Sequence, residues 1–128
     1  MVSSPGTYGE EVAAEFMAQA KKSGICVAQN LTLPFGDLTK QSARQTVVDM
    51  FTKPEARAVM MFVNKGDVKT FLEAVNSHGG AGRVKFIGSE TWGNNKVKRQ
   101  LSFFKNSFYV YFTKHNYQFS YISFVILL

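Results

Sequence analysis

The sequence holds little of what small proteins use for cross-linking, metal binding or nucleophilic catalysis. Its 128 residues include one cysteine, Cys26, and two histidines, His78 and His115, which lie far apart in unlike contexts. One cysteine cannot form an internal disulfide, and no group of Cys, His, Asp or Glu has the spacing of a metal site. Neither catalytic residues nor metal ligands are therefore predicted, and the cysteine content alone fits either a reducing compartment or a fragment whose partner cysteine lies elsewhere.

A long hydrophobic run is also missing. No stretch of 18 or more apolar residues occurs, and the opening Met-Val-Ser-Ser-Pro-Gly lacks the apolar centre of a signal peptide. We therefore expect neither a complete membrane span nor a cleaved leader. The length of 128 residues, with 45% hydrophobic and 19% charged residues, indicates one globular domain at most.

Acidic residues are absent from the last part of the chain. Residues 1–90 carry ten Lys/Arg and nine Asp/Glu, whereas residues 91–128 carry five basic residues and no acid. The formal net charge of +6 thus belongs to the C-terminal part and forms no basic stripe on the main body. Nucleic-acid binding, which a basic stripe would favour, is not predicted.

What the sequence does contain is an alternation of amphipathic and apolar segments. Apolar residues at three- and four-residue spacing predict helices over residues 8–23, over residues 40–52, and between Asn64 and Gly79. The predicted inward-facing residues are Val12, Ala13, Phe16, Met17 and Ala20 in the first helix, Ala43, Val47, Val48 and Phe51 in the second, and Val68, Phe71, Leu72 and Val75 in the third.

Continuous apolar runs between these helices predict three strands, at residues 25–28, 58–63 and 83–87, with a loop at residues 31–36. The order α-β-α-β-α-β predicts an α/β fold, a three-layer parallel sheet with helices on both faces. Three strands are few for such a sheet, and a helix comes first where a βαβ unit would begin with a strand. We therefore expect an incomplete unit, with a piece missing upstream.

Residues 101–128 differ in kind from the rest. They hold ten of the eighteen aromatic residues and no Gly, Pro, Asp, Glu or Ala. They show neither helical periodicity nor the turn residues of a hairpin. The sequence therefore predicts two regions, a folded unit over residues 1–100 and a divergent aromatic tail over residues 101–128 that is not native to the same fold.

The start of the first helix is one candidate site. Thr7 and Glu10 have the spacing of a capping box, with Thr7 as the predicted N-cap. Tyr8 lies in the first turn, where free backbone N–H groups attract anions. Tyr8 is thus a candidate ligand-binding residue; the alternative is that it packs against the sheet.

The end of the third strand is the second candidate site. Ile87–Gly93 passes at once from an apolar run into small and polar residues. In open α/β sheets, ligands bind beyond the carboxyl ends of the strands. Glu90 and Thr91 are therefore candidate ligand-binding residues; the alternative is that Glu90 caps a turn.

Four motifs in this order and spacing resemble a known receptor family. They are Tyr8–Glu11, Ile25–Ala28, Lys53-Pro54-x-Ala56-Arg57 with the strand after it, and Ile87–Gly93. Together they resemble the metabotropic glutamate receptors, and match the second lobe of the extracellular venus-flytrap domain of class C G-protein-coupled receptors. The resemblance covers about residues 3–100.

The resemblance implies one lobe of a bilobed domain related to bacterial amino-acid-binding proteins, which closes on glutamate held between its lobes. In that family the tyrosine at the position of Tyr8 lines the cleft. An aspartate that pairs with the α-ammonium of the ligand stands where this chain has Glu90. Thr91 stands where the family often has Gly or Ser, and Asn95, followed by Lys96, where some members have a basic residue.

The resemblance also gives Cys26 a role and a location. Its counterpart in the family forms a disulfide with a cysteine of the following cysteine-rich domain, so the partner of Cys26 would lie outside this chain. The chain would then belong to the extracellular face of the plasma membrane, in a homodimeric receptor that couples to a G protein. No enzymatic activity and no cofactor are implied.

Three other hypotheses stay open from the residues. One is another venus-flytrap amino-acid receptor or binding protein. A second is a small soluble α/β domain of flavodoxin-like shape, which would need an N-terminal strand and a phosphate-binding first turn. A third is a membrane-surface protein that uses its basic aromatic tail.

Overall fold

The computed structural model describes residues 1–36 and 38–88, together with the backbone of residues 108–110. Its helices and strands, in chain order, are β1 (Val2–Ser3), α1 (Thr7–Lys22), β2 (Leu31–Thr32), α2 (Lys40–Met50), β3 (Ala58–Phe62), α3 (Val68–Ser77), β4 (Lys85–Gly88) and β5 (Phe108–Val110).

All strand pairs are parallel, and the sheet has the order β2-β1-β3-β4-β5. The chain runs from β1 outward to β2, returns through α2 to the other side of β1, and then adds β3, β4 and β5 in sequence. The direction of winding therefore reverses between β1 and β3. The predicted α/β fold with a parallel sheet is confirmed.

The alternating side chains of β3 show that helices cover both faces of this sheet. Val59 and Met61 belong to the hydrophobic cluster formed with α2 and α3, whereas Met60 and Phe62 belong to the cluster formed with α1. Successive side chains of a strand point to opposite faces. Both faces of β3 are thus buried, which is why its sequence is a continuous apolar run rather than an alternating one.

The face covered by α2 and α3 holds the larger cluster, with sixteen of the described residues. All four residues predicted to face inward from α3 are buried in it, as are Ala43 and Val47 of α2. Phe51 is partly buried against the cluster. Val48, predicted inward, is 45% exposed, because it lies one position beyond the buried stripe of α2.

The face covered by α1 holds a smaller cluster, with five of the described residues. Ala13, Phe16 and Ala20 form the buried stripe of α1. The ring of Phe16 lies 5.6 Å from that of Phe62, at 58° to it. Met17, predicted inward, is 36% exposed.

The prediction of a strand at residues 25–28 is wrong. Those residues form no strand, and Ile25, Cys26 and Ala28 are exposed. The strand after α1 is β2, within the segment predicted as a loop, because Leu31 N–H donates to the Met1 carbonyl at 3.0 Å. A short apolar run does not by itself determine which strand it pairs with. Here the pairing with β1 is made by Leu31–Thr32 and not by the apolar run.

The expectation that the unit begins with a helix is also wrong. β1 precedes α1 and lies between β2 and β3, with Val2 fully buried. A strand of two residues is too short to show a period of two, so sequence pattern does not reveal it. The described sheet therefore has five strands where three were predicted.

β5 lies in the segment predicted to be a tail. Its residues pair in parallel with β4, with Phe86 opposite Phe108 and Gly88 opposite Val110. The remaining residues of that segment lie outside the described part, and the division of the chain at residue 100 stays a prediction. No helix of the described residues is long and apolar enough to cross a membrane.

Candidate ligand site at the carboxyl end of the sheet

The site begins at the point where the winding of the sheet reverses, between β1 and β3. In doubly wound sheets of this strand order, ligands bind in the crevice outside the carboxyl ends of the strands at that point. Two loops border the crevice here: Ser4–Gly6, between β1 and α1, and Asn64–Asp67, between β3 and α3. A ligand bound in this crevice would contact these two loops.

Ser4 holds the two loops together. Its backbone N–H donates to the Phe62 carbonyl at 3.0 Å, which continues the pairing of β1 with β3. Its hydroxyl oxygen accepts a hydrogen bond from the Asn64 backbone N–H at 2.8 Å. Ser4 is fully buried. Together the two bonds link the loops on which the site depends.

The start of α1 differs from the predicted capping box by one residue. The N-cap is Gly6 rather than Thr7, with φ 88° and ψ 175°, a backbone conformation that favours glycine. The Glu10 carboxylate accepts from the Gly6 N–H at 3.1 Å, the reciprocal half of such a box. A carboxylate of the chain therefore already takes one amide donor of this helix end.

Gly9 lets α1 approach the end of β1 closely. It is buried, and a Cβ added there would overlap the Ser4 carbonyl oxygen. Close packing of α1 against Ser4 thus explains why the Tyr8-Gly9-Glu10 motif has a glycine at its centre. The close approach places Tyr8, in the first turn of α1, beside the crevice, and Tyr8 is 40% exposed.

Of the predicted site residues, the structure places Tyr8 at the carboxyl end of the sheet. β4 ends at the same side, at Gly88, and one strand separates it from β1, a distance of about 10 Å at ordinary strand spacing. Glu90 and Thr91, which follow β4, lie outside the described residues. Their assignment to the site therefore stays a prediction.

Cys26 lies away from this site. It is exposed, and it lines a cavity of about 450 Å³ at the amino end of the sheet, where Met1, Gln29 and Ala58 also lie. The Met1 ammonium donates to the Gln29 carbonyl at 2.6 Å. Burial lowers the pKa of that ammonium, since removal from water disfavours the charged form.

Metal binding and the role of His78 can both be examined among the described residues. No group of three or more His, Cys, Asp or Glu is placed to hold a metal ion there. His78 is the C-cap of α3 and stacks on Phe51, with ring centroids 5.4 Å apart and planes 16° apart. It is a surface residue at a helix end, as its sequence context predicts.

Sequence reasoning missed Ser4, Gly6 and Asn64 as the residues that shape the crevice. The run Ser4-Pro5-Gly6 is typical of a turn, and it is the one sequence signal that could indicate the connection between β1 and α1. The role of Asn64 is carried by its backbone N–H, so its side-chain type gave no signal.

Comparison with known proteins assigns the chain to a family. The model of the family described as "Receptor family ligand binding region" matches residues 1–121. Metabotropic glutamate receptor 8 of Homo sapiens is 31% identical over 94 residues, which cover 73% of this chain and 10% of the receptor. Metabotropic glutamate receptor 4 of Mus musculus is 28% identical over 97 residues, and receptor 6 of Oryctolagus cuniculus is 29% identical over 98.

The chain thus spans about a tenth of the length of the curated relatives it matches. Strand order alone would not separate a receptor lobe from a flavodoxin-like domain, and the N-terminal strand that the latter requires is present. The family match separates them, because it covers 121 of the 128 residues. This chain belongs to the receptor family ligand-binding region, the family to which its likeness to metabotropic glutamate receptors points.

Proposed function

We propose that the chain is part of a receptor ectodomain that binds an amino acid, glutamate in the first instance, in a cleft between two lobes. The observation that carries this proposal is the position of Tyr8. It is exposed at the carboxyl end of β1, at the reversal point of the sheet, in a chain that belongs to a receptor ligand-binding family.

In this proposal Tyr8 forms one wall of the ligand site and Glu90, with Thr91, forms the other. The Glu90 carboxylate pairs with the α-ammonium of the ligand. The fixed spacing of the Ser4–Gly6 and Asn64–Asp67 loops supports the proposal, because a preformed wall loses little entropy when a ligand arrives.

Signalling follows from closure of the two lobes. A ligand favours the closed state only by the contacts it makes there and not in the open state. Tyr8 and Glu90 supply those contacts from this lobe, and the α-carboxyl end of the ligand is held by the other lobe. The chain itself catalyses no reaction and needs no cofactor.

The rest of the proposal concerns the complete receptor. The chain would lie on the extracellular face of the plasma membrane, in a homodimer coupled to a G protein. The Cys26 thiol is exposed at the opposite end of the sheet from Tyr8, which leaves it accessible for a disulfide with a domain outside this chain.

A chimeric receptor tests the proposal. The 94 residues of human metabotropic glutamate receptor 8 that align with this chain would be replaced by it, and G-protein activation would be measured against L-glutamate concentration. We expect activation by L-glutamate and none by glutarate, which lacks the ammonium. Tyr8→Ala should raise the half-maximal concentration about tenfold, as loss of a central aromatic contact does.

Phe35→Ala is the matched control. Phe35 is 83% exposed and also follows a strand at the carboxyl end, but it follows β2, on the far side of β1 from the crevice. This variant should leave the half-maximal concentration unchanged. Equal effects of the two substitutions, or activation by glutarate, would contradict the proposed site.

The isolated chain provides a second test. With one lobe only, calorimetric titration should give a glutamate dissociation constant weaker than about 1 mM, since the ligand loses the contacts of the other lobe. Micromolar affinity would show that the chain binds glutamate without a second lobe and would overturn the cleft model.

A further inference from the structure

The apolar run Ile25–Ala28 contributes only in part to the fold: Val27 packs against the cluster under α1, and the Ile25 N–H donates to the Ala20 carbonyl at 2.8 Å. It pairs with no strand, Ile25 is 38% exposed, and Cys26 and Ala28 are exposed as well. Exposed apolar residues are ordinary at a protein surface. What distinguishes this run is the cavity that its residues border.

This run forms one wall of the cavity at the amino end of the sheet, called here the amino-end cavity. Its volume of about 450 Å³ lies within the range of small-molecule sites. Buried apolar side chains line it from the sheet and from α1, among them Phe16, Met60 and Val84. The cavity thus has an apolar interior that is open to solvent.

Three cationic side chains line the same cavity: Lys53, Arg57 and Arg83. All three are exposed, and none forms an ion pair with a described residue. Glu55 is the one carboxylate among the lining residues. Arg83 is held in place by the Phe51 ring, 4.5 Å from its guanidinium carbon. The opening therefore carries a positive rim around an apolar interior.

We infer that the amino-end cavity binds a small organic anion that combines an apolar body with one acidic group. The apolar interior would reject a fully hydrated inorganic anion, and the positive rim would repel an organic cation. The site lies at the opposite end of the sheet from Tyr8, so it is separate from the amino-acid site proposed above. The inference applies to the chain with Cys26 as a free thiol, since the disulfide proposed above would bring another domain to this cavity.

A fluorescence titration with two matched probes tests the inference. 8-Anilinonaphthalene-1-sulfonate carries the acidic group, and N-phenyl-1-naphthylamine has the same rings without it. We expect one molecule of the sulfonate per chain, bound about fivefold more tightly than the neutral probe, because one surface ion pair contributes about 1 kcal/mol. Added salt should weaken only the sulfonate.

Substitutions separate the contribution of the cationic residues to probe affinity from that of the apolar residues. Arg57→Gln and Lys53→Gln should each reduce sulfonate affinity, by no more than the fivefold difference between the two probes, and leave the neutral probe unaffected. Ile25→Ser should weaken both probes. Lys65→Gln is the control, since Lys65 is an exposed cation of the loop at the opposite end of the sheet, and it should change neither.

The chain's single cysteine reports whether the probe lies in the cavity. Saturating sulfonate should slow the alkylation of Cys26 by iodoacetamide, an uncharged reagent. An unchanged alkylation rate would overturn the inference, as would equal affinity of the two probes. Loss of probe binding with formation of a dimer at higher chain concentration would assign the cavity to a second copy instead, and would overturn it too.

Discussion

The two faces of the sheet are built unequally. The face under α2 and α3 buries sixteen described residues in one cluster, and the face under α1 buries five. Hydrophobic stabilisation grows with the apolar area removed from water, so most of it comes from the first face. The thinner face carries Tyr8 in the first turn of α1. The amino-end cavity is lined from both faces, by Phe16 and Met60 of the smaller cluster and by Val59 and Val84 of the larger one. Most of the stabilisation therefore comes from the α2 and α3 face, whereas the candidate binding residue Tyr8 lies on α1.

The largest predicted effect comes from opening the thicker face. Phe71 is fully buried in its cluster, so Phe71→Ala should lower the free energy of unfolding by about 4 kcal/mol. Val48→Ala, on the exposed side of α2, should change it by less than about 0.5 kcal/mol. Urea denaturation followed by circular dichroism measures both, and similar costs would remove the basis for assigning stability to this cluster.

A smaller loss is expected on the thinner face. Phe16 packs against Phe62 and borders the amino-end cavity, so Phe16→Ala should cost about 3 kcal/mol. The same urea experiment gives the value, with Met17→Ala, 36% exposed, as the control on the same helix. If Phe16→Ala lowered the free energy of unfolding more than Phe71→Ala, the claim that the α2 and α3 face contributes most of the stability would be wrong.

The contact between α1 and β1 should tolerate no added side chain. Gly9→Ala should destabilise by about 2 kcal/mol, because the new methyl group overlaps the Ser4 carbonyl and pushes the helix away. Gly66→Ala is the matched control, since a Cβ there meets nothing within 4 Å. Thermal unfolding compares the two, and a neutral Gly9→Ala would show that α1 is not fixed against β1.

The smallest predicted effect concerns the bond between the two loops of the site. Ser4→Ala leaves the Asn64 N–H without its acceptor and should cost about 1 kcal/mol. Ser77→Ala removes an exposed hydroxyl that donates to the Glu73 carbonyl at 2.9 Å, and should cost less. Hydrogen exchange at Asn64 should accelerate in Ser4→Ala; an unchanged rate would mean that the hydroxyl does not protect it.

Sequence pattern predicted the parts of the fold that repeat a period. Phe71 and Val75 recur at helical spacing, and they are buried as predicted. β1 was not predicted, because a strand of two residues shows no period. Ile25–Ala28 was wrongly predicted as a strand, because an apolar run does not indicate which element it packs against. The reason for Gly9 is a tertiary contact that no local pattern encodes.

For the candidate site, the structure gives the position of Tyr8, and its role in binding stays a prediction. The resemblance placed Tyr8 in a ligand site, and the fold places it at the end of the sheet where such sites form. The shape of the crevice depends on the Ser4 N–H, which donates to the Phe62 carbonyl, and on the Ser4 hydroxyl, which accepts from the Asn64 N–H. Both are tertiary contacts that no local sequence pattern reveals. The contributions of Glu90 and Thr91 stay predictions.

Amide NMR spectra of the chain during a titration with L-glutamate test the central claim most directly. The account predicts weak, non-saturating shifts at the amides of Gly6, Thr7, Gly9 and Asn64, and none at Ile25–Ala28. Glutarate at the same concentration should produce smaller shifts. Shifts centred on Ile25–Ala28, or equal shifts with glutarate, would contradict the claim that the carboxyl end of the sheet recognises an amino acid.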